Sequence, residues 1–186
     1  MAKSKKDLGP KTPKQVILAK RRNLINKLSF TDLIKKIIML ILVAYLIFTF
    51  IFGVKVLKNN DMSPRMSASD LLIYYRLDKE YVANDVLVVN KDGNEYVSRV
   101  VAMAGDTVDI TENGLVINGS VQANSNIYFD TGIYEDGIKF PITLNQDEVF
   151  VLGDLREGAM DSRYFGPVKY GQIKGKIFVL LRRTAF

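Results

Sequence analysis

The chain has 186 residues, 48% of them hydrophobic, which suits one modest domain with a packed core plus one membrane segment. It contains no cysteine and no histidine, which excludes disulfides, thiolate chemistry, Ser-His and Cys-His arrangements and any His-ligated zinc. The net charge of +6 is unevenly placed: 11 basic and 2 acidic side chains precede residue 37, and 15 basic and 18 acidic ones follow. The body therefore carries −3 and the basicity belongs to a tail, so no nucleic-acid partner is expected.

The chain opens with Lys-, Ser- and Pro-containing sequence to about Pro13, a composition that predicts disorder. Residues 15–36 are basic and helix-compatible, with Val16, Ile17, Leu24, Ile25 and Leu28 available for one apolar side. This suits a juxtamembrane stretch resting on anionic lipid. Residues 37–54 then run without a charge or a proline; as a helix they cover about 27 Å, close to the hydrocarbon thickness of a bilayer. A cleavable leader has a shorter apolar core ending at small residues, whereas here Lys55-Val56-Leu57-Lys58 follows. The run is read as an uncleaved transmembrane anchor. Its basic flank places residues 1–36 in the cytoplasm and 55–186 outside the cell membrane.

Beyond the anchor, short runs rich in Val, Ile, Leu and Tyr occur at 70–77, 86–90, 96–103, 107–111, 115–118, 149–152 and 176–182. They are separated by Asp, Asn and Gly, which predicts an all-β external domain of antiparallel sheets. Asn113-Gly114 and Asn118-Gly119 predict tight turns. Asn118-Gly119-Ser120 also fits a glycosylation acceptor, but the turn already accounts for its composition. No stretch past residue 55 has a helical period, and residues 122–145 suit a loop or a small β excursion.

Three segments carry the functional signal: Asn59-Asn60-Asp61-Met62-Ser63-Pro64, Arg99-Val100 through Ala104-Gly105-Asp106, and Gly153-Asp154-Leu155-Arg156 through Asp161-Ser162-Arg163. In this order, behind an anchor, they resemble the conserved boxes of type I signal peptidases, membrane-anchored Ser/Lys endopeptidases that remove leader peptides. The resemblance implies the family's β fold and a site close to the membrane, with no cofactor and no metal. It also implies a structural ion-pair set at Arg99, Asp154, Asp161 and Arg163. Leu57, Met62, Val97 and Val100 lie where the family places its substrate-side strands and apolar subsites, beside which an extended peptide could add by main-chain hydrogen bonds.

The reacting groups depart from that pattern. The family's nucleophilic serine corresponds to Asp61, its lysine base to Ser98, and the serine that supports the lysine to Ala159. A carboxylate is a poor nucleophile toward an amide, Ser98 offers no basic nitrogen, and Arg99 does not deprotonate at accessible pH. Ser63 is two residues away, about 6.6 Å along an extended strand, too far to replace Asp61 when attack needs about 3–3.5 Å. An aspartic mechanism would require Asp61 to share a proton with Asp154 or Asp161. The expectation is a non-cleaving chaperone or accessory factor, similar to the signal peptidase-like proteins of streptococcal pilus loci, with pilin subunits or sortase as partners. The rival expectation is an active type I signal peptidase.

Overall fold

The structure is a computed structural model that describes residues 12–122 and 131–182. The chain start, expected to be disordered, lies largely outside these residues, as does part of the 122–145 stretch. Contacts divide the chain into two compact units, Met1–Leu46 and Ile47–Phe186.

Helix α1 (Pro13–Phe50) has an apolar window long enough to cross a membrane, with none of that window buried by protein. The helix ends at Phe50, short of the apolar run expected to span to residue 54. The last apolar residues of that run fall in strand β1 (Phe52–Val56), which pairs with β2 (Leu71–Tyr75) from Phe52↔Tyr75 to Val56↔Leu71. Apolar runs serve a buried strand as well as a spanning helix, so hydropathy alone does not mark the change.

In chain order there follow β3 (Val86–Lys91), β4 (Asn94–Ala102), β5 (Thr107–Thr111), β6 (Gly114–Ile117), β7 (Ser120–Val121), β8 (Ile142–Thr143) and β9 (Glu148–Leu152). The last elements among the described residues are a one-turn helix α2 (Ser162–Phe165), β10 (Val168–Lys169), a 3-10 turn (Tyr170–Gln172) and β11 (Ile173–Leu181). All pairings among the described residues are antiparallel, in a seven-stranded sheet ordered β1-β2-β11-β3-β4-β9-β10 and a four-stranded sheet ordered β7-β6-β5-β8. The expected all-β domain is thus present, and β8 supplies a β excursion within 122–145. The Asn118-Gly119 turn forms with both residues at positive φ (51° and 79°), the geometry that suits a two-residue hairpin.

Side-chain alternation distributes three cores. Val86, Val88 and Val97 point into one with Leu57, Met62, Leu72 and Tyr74. Leu87, Val89, Val100, Val149 and Val151 point into a second, while Phe150 and Leu152 meet Ala102, Val108 and Leu115 in a third. Strand β9 is buried at every position because both of its faces are covered, which explains its unbroken apolar sequence. At Gly53 a Cβ would come within 2.1 Å of the Tyr74 ring; only glycine lets β1 lie against that ring.

Candidate functional site

The segment between β1 and β2 carries Asp61, and main-chain contacts fix it against the third box. The Asp61 carbonyl accepts from Leu155 N at 2.9 Å. Gly153 is wedged beneath it: a Cβ there would lie 2.7 Å from both the Asp61 carbonyl oxygen and the Ala159 methyl. The first box and Ala159 therefore meet at Gly153. The Asp61 carboxylate accepts from Asn59 Nδ2 at 2.7 Å. Its partial burial pushes its pKa above the usual carboxylate range; a backbone hydrogen bond from Met160 opposes this and the nearby Asp161 charge adds to it.

Arg99 and Arg163 each pair with a carboxylate of the third box. Arg99, on β4, makes a two-pronged contact with Asp154, Nε to Oδ1 at 2.8 Å and Nη2 to Oδ2 at 2.6 Å, and its Nη1 donates to the Asn84 carbonyl at 2.9 Å. Asp161 is fully buried and caps α2, accepting from Arg163 N. It also accepts from Arg163 Nε at 2.9 Å, Arg163 Nη2 at 2.8 Å and Gly153 N at 3.0 Å. Donors of this kind offset the cost of taking a carboxylate out of water.

Sequence reasoning assigned no role to Arg156, which is buried as deeply as Arg163. Its Nε donates to the Gly153 carbonyl at 2.8 Å and its Nη1 to Thr131 Oγ1 at 2.6 Å. Burial, reinforced by the charge of Arg163, pulls its pKa down to about 10, so it stays cationic at neutral pH. The signal was its place in the third box. Tyr134, which no motif marked, accepts from Arg163 Nη2 at 2.9 Å and donates to the Ala159 carbonyl at 2.9 Å.

Ser98 is buried on β4 opposite Leu87, on the face that Val100 shares. Among the described residues no hydrogen bond or ion pair joins Asp61 to Ser98, Asp154 or Asp161. Both alternative carboxylates are committed to arginines, which removes the proton-sharing pair an aspartic mechanism needs.

The four candidate peptide contacts divide. Leu57, Met62 and Val97 pack in one cluster, and Leu57 and Val97 also line a small cleft with Lys55, Lys58, Asn59 and Glu95. Val100 belongs to a different core, and it and Met62 are both completely buried; neither is available to a peptide. Val100 stands three residues from Val97, and in a strand that odd spacing sends it to the opposite face.

A larger cleft of about 420 Å³ continues from the small one, between Lys55, Lys58 and Asn59 on one side and Asn94, Glu95 and Tyr96 on the other. Its wall is a strand edge. β4 pairs with β3 along its length, but β9 pairs only from Arg99 onward. Among the described residues, the outer edge of 94–98 has no strand beside it.

A family model described as signal peptidase, peptidase S26, matches residues 30–181. The chain is 28% identical to signal peptidase I P of Bacillus subtilis subsp. natto over 148 residues, covering 74% of this chain and 80% of that relative. It is 29% identical to signal peptidase I S of Bacillus subtilis over 155 residues, 77% of this chain and 84% of the relative. The crystal structure of a signal peptidase I from Enterococcus faecalis V583 aligns with a TM-score of 0.44 at 24% identity, covering 53% of this chain and 97% of that one.

Proposed function

Since the chain belongs to the peptidase S26 signal peptidase family, we propose that it is a membrane-anchored signal peptidase-like protein that holds an extended peptide segment without cleaving it. One observation carries the reading. The positions that resemble nucleophile and base hold Asp61 and Ser98, and the remaining carboxylates of the site are taken by Arg99 and Arg163. Peptide-bond hydrolysis by this architecture needs an attacking hydroxyl and a neutral amine to take its proton, and neither position supplies one. The free edge of 94–98 offers main-chain donors and acceptors for strand addition. The anchor runs from a basic cytoplasmic side to a domain outside the cell membrane. In this reading the partners are pilin subunits or sortase, by the resemblance to pilus-locus proteins.

The names of the relatives favour a second reading, an active leader peptidase. The full chain in detergent, incubated with a preprotein, separates the two. The expected result is no trimming by the parent protein. Trimming that Ser63→Ala abolishes overturns the non-cleaving reading. For the assembly role, deletion of the chain is expected to stop pilin polymerisation, and both the parent and Ser63→Ala are expected to restore it; rescue by the parent alone overturns the non-catalytic role.

A further inference from the structure

We propose that the cleft beside the free edge of β4 selects extended segments that carry acidic side chains. This deepens the peptide-holding reading and rests on it. Glu95 is the one carboxylate lining the cleft among the described residues, and it is already held by Lys55 from β1 and Lys174 from β11. Two cations thus share one anion. Lys58, on the same wall, is exposed and makes no ion pair among the described residues. Asp92, in the turn before β4, does not line the cleft. Lys55 and Lys58 against Glu95 leave the lining with an excess of one positive charge, although the part of the chain after residue 36 is net negative.

Geometry supports the same partner. A peptide added to the 94–98 edge presents alternate side chains to one face, about 6.6–6.8 Å apart. Lys55 and Lys174 already show how a carboxylate is held there, because Glu95 occupies that place in the unbound protein. The paired lysines keep Glu95 ionised, with its pKa lowered to about 2. An incoming Asp or Glu meets Lys58 directly and shares the pair of lysines with Glu95.

The test uses the full chain in phosphatidylcholine nanodiscs and three blocked, rhodamine-labelled decapeptides of alternating Thr and Val. They differ only in carrying two Asp, two Asn or two Lys at central positions spaced by two. At low salt the Asp peptide is expected to bind about fivefold tighter than the Asn peptide, with the Lys peptide weaker still. The preference should collapse at about 1 M salt, where charges are screened within a few ångströms. Lys58→Glu should reverse the order, and Glu95→Gln should tighten the Asp peptide by about fivefold as its lysines are released. Hydrogen exchange should show protection at 94–98.

Equal binding of all three peptides with 94–98 protected overturns acidic selection and leaves the peptide-holding reading standing. Binding by none overturns both. An Asp preference that survives Lys58→Glu, or arises without protection at 94–98, puts the selecting charge elsewhere and overturns the proposal.

Discussion

Asp161 and Glu95 are both carboxylates held by cations, and their surroundings give them different work. Asp161 is completely buried and receives donors on both oxygens from Arg163, with Gly153 N added. Glu95 keeps 29% of its side chain exposed and is reached by two flexible lysines at the rim of a cleft. Without water, breaking the first pair strands a charge in low dielectric. With water at hand, the second can be exchanged for little cost. The domain has fixed charge where its boxes are joined and exchangeable charge at the rim of an open cleft.

The contrast is broken most directly at Arg163. Arg163→Met leaves Asp161 buried without its counter-ion and should cost about 3–5 kcal/mol, read as a fall in the midpoint of guanidinium unfolding. A loss under 1 kcal/mol would remove the distinction between the two carboxylates. Next in size is Gly153→Ala, whose methyl must displace the Asp61 carbonyl and the Ala159 methyl. The expected loss is about 1–3 kcal/mol, with increased exchange of the Leu155 amide that now bonds Asp61.

The parts of this architecture that were legible in the sequence are those set by local pattern. The strand at 107–111 has the bounds expected from its alternation; Arg99, Asp154, Asp161 and Arg163 were marked as a set by resemblance, and which of them pair was not written in any local pattern. What was not legible depends on which elements meet. β1 was hidden inside an apolar run, because hydropathy does not separate lipid from a protein core. Val100 was grouped with Val97, although three residues along a strand place them in different cores. Lys174 lies 79 residues from Glu95. Only the pairing of β11 with β3, and of β3 with β4, brings them near.

Smaller effects sharpen the comparison through pH. The pKa of Glu95 is depressed, first by its bond from Lys174 and then by Lys55, to about 2. Its stabilisation is therefore complete above the unfolded value of about 4.3 and lost as pH falls from there through about 2. Glu95→Gln should cost about 0.2–1 kcal/mol at pH 7, after screening, and nothing measurable near pH 2. Urea unfolding at both pH values checks it; a cost that persists in acid means that Glu95 acts by packing rather than by charge.

Asp61 runs the other way. Its pKa is raised by burial, so the folded protein holds that proton more tightly than the unfolded chain does. The ionised group therefore costs stability above its folded pKa, and the cost disappears as pH falls to the ordinary carboxylate range. Asp61→Asn should stabilise the domain by about 0.5 kcal/mol at pH 7 and leave it unchanged at about pH 3. A loss of stability at pH 7 would show that the carboxylate is held by partners as Asp161 is. The position that resembles the family's nucleophile would then belong to the fixed charge of the scaffold.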